Sequence, residues 1–239
     1  MQCSLKSVGD LRCRIVIPRN EAPSQLIVLC HGYGAPGDDL VDLAPALCQI
    51  EPDLAQRSVF VFPEALLELD FAGFGNARAW WHLDIEAIAA SQQGGPPRIL
   101  AQEEPDGLPV ASSHLAGTLE ILLPTFGLGW PDLILGGFSQ GAMLAADVAL
   151  HSETSPRKVV LLSGNLLNER RSLPKIRTQR SLSVFMSHGR QDPILPFEGA
   201  QALKNALVEA HAEVEFLSFD GGHAIPFEVV ARLARFLNA

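Results

Sequence analysis

The chain has 239 residues, 47% of them hydrophobic, 19% charged and 7% aromatic, a profile that supports a buried core and excludes disordered, collagen-like and disulfide-scaffold chains. Its 27 acidic residues outweigh 18 basic ones, for a net charge of −9, so a nucleic acid would meet a repulsive field and is not expected as a partner. The cysteines Cys3, Cys13, Cys30 and Cys48 have neither C-x-x-C nor zinc-ligand spacing and read as reduced, mostly buried thiols.

In chain order, Met1 to Asp10 lacks the apolar stretch of a secretory signal, and the apolar runs elsewhere, such as Leu26 to Cys30, fall far short of the roughly 18 residues a membrane span requires. A cytoplasmic protein is expected. The first strand is predicted over Cys13–Ile17 and the second over Leu26–Cys30, the latter running directly into His31-Gly32-Tyr33-Gly34. A helix follows over Leu40–Cys48, with Asp38 and Asp39 as its caps and first-turn acids. After a strand at Val59–Phe62, the stretch Leu66 to Pro109 is broken by glycines and prolines and reads as a substrate-facing excursion or mobile loop. Its Leu69, Phe74, Trp80 and Trp81 are candidates for the wall of a substrate pocket, with core filling as the alternative.

Helical spacing resumes at Ser113–Leu123, and a strand at Leu133–Leu135 leads into Gly137-Phe138-Ser139-Gln140-Gly141 and a helix over Gly141–Leu150. This is G-x-S-x-G in the strand–turn–helix setting that exposes a serine hydroxyl above a sheet, although a helix-capping serine would leave the same trace. Strands at Val159–Leu162 and Val184–Met186 follow. Ser187 to Pro193 leaves the second of these, carrying Asp192, whose alternative role is a simple Asx turn, and His188 and Arg190, whose roles stay open. A helix over Phe197–Ala210, a strand over Val214–Phe219, the turn Gly221-Gly222-His223 and a helix over Phe227–Leu237 complete the chain.

Alternating strands and helices, with most strands apolar on consecutive positions, predict an α/β fold: a mainly parallel sheet of about seven strands covered on both faces. One domain over residues 1–239 is the simplest organisation. In such sheets a site forms at the carboxyl ends of the strands. There Ser139 is the candidate nucleophile, His223 the base that removes its proton and Asp192 the acid that fixes the imidazole tautomer, with Asp220 a competing acid. Charge developing on a carbonyl oxygen needs preorganised donors, and the backbone N–H groups of Tyr33 and Gln140 are candidates. No H-E-x-x-H, P-loop or Rossmann glycine pattern occurs, so neither metal nor cofactor is expected.

With His31-Gly32-Tyr33-Gly34, Gly137-Phe138-Ser139-Gln140-Gly141, Gly189-Arg190-Gln191-Asp192-Pro193 and Gly221-Gly222-His223 in this order, the chain resembles the phospholipase/carboxylesterase family of α/β-hydrolases, which includes acyl-protein thioesterases. The resemblance runs from about Leu26 onward and implies an α/β-hydrolase fold. It also implies a cofactor-free hydrolase of carboxylic esters or thioesters working through an acyl-enzyme. By that resemblance Ser139, Asp192 and His223 form the triad, Tyr33 and Gln140 supply the oxyanion donors, and a homodimer is a further expectation. Rival readings are a non-catalytic ligand-binding protein on this fold and a lysophospholipase or peptidase.

Overall fold

The computed structural model describes residues 2–17, 22–69, 76–84, 100–178 and 182–239. Ten strands and seven α-helices fall within them. The strands are β1 (Gln2–Val8), β2 (Leu11–Ile17), β3 (Gln25–Cys30), β4 (Ser58–Glu64), β5 (Leu67–Glu68), β6 (Arg78–Ala79), β7 (Leu133–Phe138), β8 (Lys158–Leu162), β9 (Ser183–Gly189) and β10 (Glu213–Phe219). The helices are α1 (Leu43–Ile50), α2 (Leu54–Arg57), α3 (Leu108–Thr125), α4 (Gln140–His151), α5 (Glu169–Ile176), α6 (Phe197–Glu209) and α7 (Phe227–Asn238).

Eight strands form one sheet in the order β1-β2-β4-β3-β7-β8-β9-β10, while β5 and β6 pair separately. From β4 to β10 every neighbouring pair is parallel, and β1 and β2 join as an antiparallel edge. The sheet has one strand more than the sequence suggests. That strand, β1, is largely exposed and carries no apolar run, as an edge position allows.

The interior strands are apolar on consecutive positions because both faces are covered. In β3, Leu26, Val28 and Cys30 face a core closed by α3, α4, α5 and α6, while Ile27 and Leu29 face one closed by α1, α2 and α7. The last turn of α7 is held to the sheet and to α2 by polar contacts that satisfy its terminal carbonyls: Lys158 Nζ of β8 donates to the Phe236 oxygen (2.6 Å) and Arg57 Nη2 of α2 to the Asn238 oxygen (2.7 Å). Burial lowers the Lys158 ammonium to about 8.

The strand order reverses between β3 and β7. The chain goes from β3 outward to β4, then returns to place β7 on the other side of β3. At such a switch point the segments leaving two neighbouring strands diverge and open a crevice. Here those segments begin at His31 and Ser139. Because β9 and β10 run parallel to β7 through β8, the segments carrying Asp192 and His223 leave by the same rim.

Two expectations are corrected by this architecture, and one helix is added to those expected. Helix α1 starts at Leu43 with Asp42 at its N-cap, so Asp38 and Asp39 do not cap it; Asp38 pairs instead with Arg14 at 3.3 Å. Of the cysteines, Cys13 and Cys30 are buried, Cys48 is half-buried and Cys3 is exposed, and none is joined in a disulfide. Burial, reinforced by Glu64, pushes the Cys13 thiol up to about 12. Finally, α5 has no counterpart in the predicted elements, since Pro174 and its charged sequence obscure the helical period.

Candidate active site

The site begins with a backbone constraint. Ser139 stands between β7 and α4 with φ of 55° and ψ of −118°, a conformation that L-residues rarely adopt. Its amide donates to the Leu162 oxygen (2.8 Å), and its carbonyl accepts from Ala142 N (3.0 Å) and Met143 N (3.2 Å). Its side chain makes no capping bond. The strain therefore does not serve the helix cap; it turns the residue at the strand's end, and 8% of its surface remains exposed.

The flanking glycines let the backbones meet. A Cβ on Gly141 would lie 2.1 Å from the Cys30 oxygen, and one on Gly137 2.5 Å from the same atom, so any side chain there would push α4 and β7 off β3. Across the switch point, a Cβ on Gly32 would lie 3.3 Å from the Ser139 Cβ. The loop after β3 thus rests against the serine.

That loop is braced from below. His31 is buried, with Nε2 accepting from Ala65 N (3.1 Å) and Nδ1 donating to the Gly32 oxygen (2.8 Å), which fixes a neutral tautomer. Burial lowers its pKa against opposing pulls from the Gly32 carbonyl and Glu64. Arg78 binds buried Glu64 at 2.6 Å and donates to the Ala65 oxygen (3.2 Å), while its own carbonyl accepts from Gly34 N (2.8 Å). Leu69 packs with Ala77 and Ala79 in a small cluster that Tyr33 joins.

Of the two roles the sequence leaves open for Trp80 and Trp81, pocket wall or core filling, their burial matches the second. Both belong to the core, 5% and 1% exposed, and their backbones clamp Gln140. Trp80 N donates to Gln140 Oε1 (2.9 Å), and Gln140 Nε2 donates to the Trp81 oxygen (2.8 Å). The Trp80 indole donates in turn to the His31 oxygen (2.9 Å). The residue following Ser139 is therefore tied to the loop after β3 through the tryptophan pair. Phe74, the fourth candidate wall residue, lies outside the described residues.

On the other side of the rim, His223 Nδ1 lies 2.6 Å from Asp192 Oδ2. The other carboxylate oxygen accepts from Ile194 N and Leu195 N, each at 2.9 Å. Asp192 thus both contacts the imidazole and centres an Asx-type turn, so the two positions the sequence presents as alternatives coexist. Burial raises its pKa, but hydrogen bonds from His223, Leu195 and Ile194 and the field of His223 outweigh this, leaving it below the ordinary carboxylate value. Asp220 is excluded as the partner by position: its side chain is 84% exposed and faces Arg190. The arms carrying Asp192 and His223 touch at Gly189, where a Cβ would lie 2.2 Å from the Gly222 oxygen. The Phe138 ring, next to Ser139, is 4.7 Å from the His223 ring, bringing the imidazole to the serine turn.

The supporting residues missing from the sequence-derived set are Glu64, Arg78 and the Gln140 side chain, while His188 is singled out there with its role open. Only Glu64 leaves a visible trace, as a carboxylate ending an otherwise apolar strand.

Residues 11–239 match the family model described as Phospholipase/Carboxylesterase. The chain is 28% identical over 242 residues to an acyl-protein thioesterase 1 of Kluyveromyces lactis, covering 93% of this chain and 95% of that protein. Among solved structures it is similar to esterase PE8, with a TM-score of 0.78 at 26% identity, covering 100% of this chain and 99% of the other. A carboxylesterase from Mesorhizobium loti shares the fold, with a TM-score of 0.74 at 16% identity and full coverage of both chains. The chain belongs to the phospholipase/carboxylesterase family of α/β-hydrolases.

Proposed function

We propose that this family member is a serine hydrolase of carboxylic esters or thioesters, with Ser139 as nucleophile, His223 as general base and Asp192 as the acid orienting it. The observation that carries the reading is the 2.6 Å contact between His223 Nδ1 and Asp192 Oδ2, on the same rim as a serine held at positive φ without a capping role. A carboxylate at Nδ1 keeps the proton there and leaves Nε2 as a lone pair able to accept from a hydroxyl.

Ser139 Oγ attacks the substrate carbonyl while His223 Nε2 takes its proton. Negative charge then develops on the carbonyl oxygen, facing the backbone N–H groups of Tyr33 and Gln140. The Gln140 N–H stands at the first position of α4, where intrahelical bonding supplies no acceptor and the helix dipole favours an anion. His223 returns the proton to the leaving alcohol or thiol, the acyl group stays on Ser139, and water activated by the same imidazole releases the acid.

The reading includes one catalytic domain over residues 1–239, a cytoplasmic location and a homodimer. Among the described residues no helix is long and apolar enough to cross a membrane.

The test is a stopped-flow assay with a p-nitrophenyl short-chain ester. A burst of p-nitrophenol stoichiometric with enzyme is expected, and Ser139→Ala should abolish it. Steady hydrolysis unchanged in Ser139→Ala would overturn the assignment.

A further inference from the structure

Asp192 has a second histidine beside it. His188, the penultimate residue of β9, has no solvent exposure, and its Nε2 lies 2.8 Å from the Leu195 oxygen and 3.4 Å from Asp192 Oδ2. A carbonyl only accepts, so Nε2 carries the proton and Nδ1 is the lone pair. That Nδ1 is buried and has no hydrogen-bond partner.

This pattern gives His188 a defined charge. A proton on Nδ1 would create a cation in a dry site with an unmatched donor, which costs more than one neighbouring carboxylate returns when that carboxylate is already shared. The charged or titratable groups facing His188 are Asp192 from the acid turn, His223 from the base turn and Glu198 from α6. Burial, with His223 acting in the same direction, outweighs the upward pull of the Leu195 carbonyl, Asp192 and Glu198, and the imidazole stays neutral. His188 therefore offers Asp192 a dipole and does not compete with His223 as a counter-charge.

The contacts close a ring. Leu195 N donates to Asp192 Oδ1, the Leu195 oxygen accepts from His188 Nε2, and the same Nε2 leans on Asp192 Oδ2. Without His188, the Leu195 carbonyl would be left buried and unpaired, and the turn that presents Oδ2 could pivot about the two remaining amide bonds.

We propose that His188 is a positioning residue: it latches the turn Asp192–Leu195 so that Asp192 Oδ2 meets His223 Nδ1 in a single orientation. This inference rests on the roles assigned to Asp192 and His223 under Proposed function.

The experiment compares wild type, His188→Leu and His188→Gln, the last placing an amide N–H near the position of Nε2. Three quantities are read: kcat and KM on a p-nitrophenyl ester, the melting temperature, and the downfield proton NMR signal of His223 Nδ1–H, assigned by its loss in His223→Ala. His188→Leu is expected to lower kcat roughly ten- to hundredfold, the size of one hydrogen bond to a charged group, with KM unchanged and the signal shifted or lost to exchange. His188→Gln should restore most of kcat and the signal. The proposal is overturned if His188→Leu leaves kcat and the signal as in wild type. It is equally overturned if His188→Gln melts like wild type yet is as impaired as His188→Leu. Should His188→Leu not fold, His188→Gln decides alone: it must keep the signal and a near-wild-type kcat. A wild type that shows the signal but no ester turnover would remove the proposed function and leave the latch to be judged by the signal.

Discussion

His223 Nδ1 and Asp192 Oδ2 lie 2.6 Å apart although their residues are 31 positions apart in the chain. The contact exists because β9 and β10 are parallel neighbours and Gly189 lets the two departing turns touch. Replacing Asp192 by Asn keeps the shape but lets the amide donate to Nδ1, which favours the tautomer with the proton on Nε2, where the base must be empty. A fall in kcat on the order of 10⁴ is expected. Asp220→Asn should change kcat less than twofold, since its side chain is 84% exposed and does not face the imidazole. Steady-state kinetics on both variants check this, and equal losses would contradict it.

A second expectation concerns the two arms themselves. Gly189→Ala puts a methyl group 2.2 Å from the Gly222 oxygen, so acid and base turns must separate; a loss of about 2–4 kcal/mol in stability with a large fall in kcat is expected. Gly34→Ala is the control. Its φ of 77° is unfavourable for alanine, yet a Cβ there meets nothing within 4 Å, so the cost should be only about 1–2 kcal/mol. Urea unfolding of both variants measures the difference.

The Gln140 side chain offers a third test. Gln140→Ala removes the partners of Trp80 N and the Trp81 oxygen, both in the buried interior, and should cost about 2–4 kcal/mol. Because the clamp also fixes the backbone after Ser139, kcat should fall more than KM rises. An unchanged melting temperature would show that the clamp carries no load.

Stability should decline on the acid side in two stages. His31 and His188 are held below the ordinary histidine value mainly by burial. As pH falls through about 6.5 the unfolded chain binds protons that the native chain refuses, and stability is lost. Asp192 is held below the ordinary carboxylate value, so its contribution is present above about 4 and disappears as pH falls through its lowered native value. Urea midpoints between pH 8 and pH 3 should show both stages, and His188→Gln should flatten the first. Midpoints independent of pH between 7 and 5 would contradict the neutral, buried state of these imidazoles.

Much of this was legible in the sequence because of how parallel sheets are built. The interior strands β3, β4, β7 and β8 are apolar on consecutive positions, and glycine placement marks the turn at Ser139. The edge strand β1 gave no such signal, since its burial is low on both faces, and α5 was masked by Pro174 and its charges. Trp80 and Trp81 show a different limit. Composition marks them as large apolar side chains near the site, but only the fold shows that they fill the core and that their backbone atoms grip Gln140. His188 could not be ranked either, because a buried imidazole with one used nitrogen and a loop histidine look alike in one dimension.

The most direct measurement of the account is the site and rate of covalent capture by a fluorophosphonate, followed by intact mass and peptide mapping. One adduct per chain is expected, on Ser139, forming at least about 10³-fold more slowly in a folded His223→Ala variant. An adduct on another residue, or capture of Ser139 at the same rate without the imidazole, would contradict it.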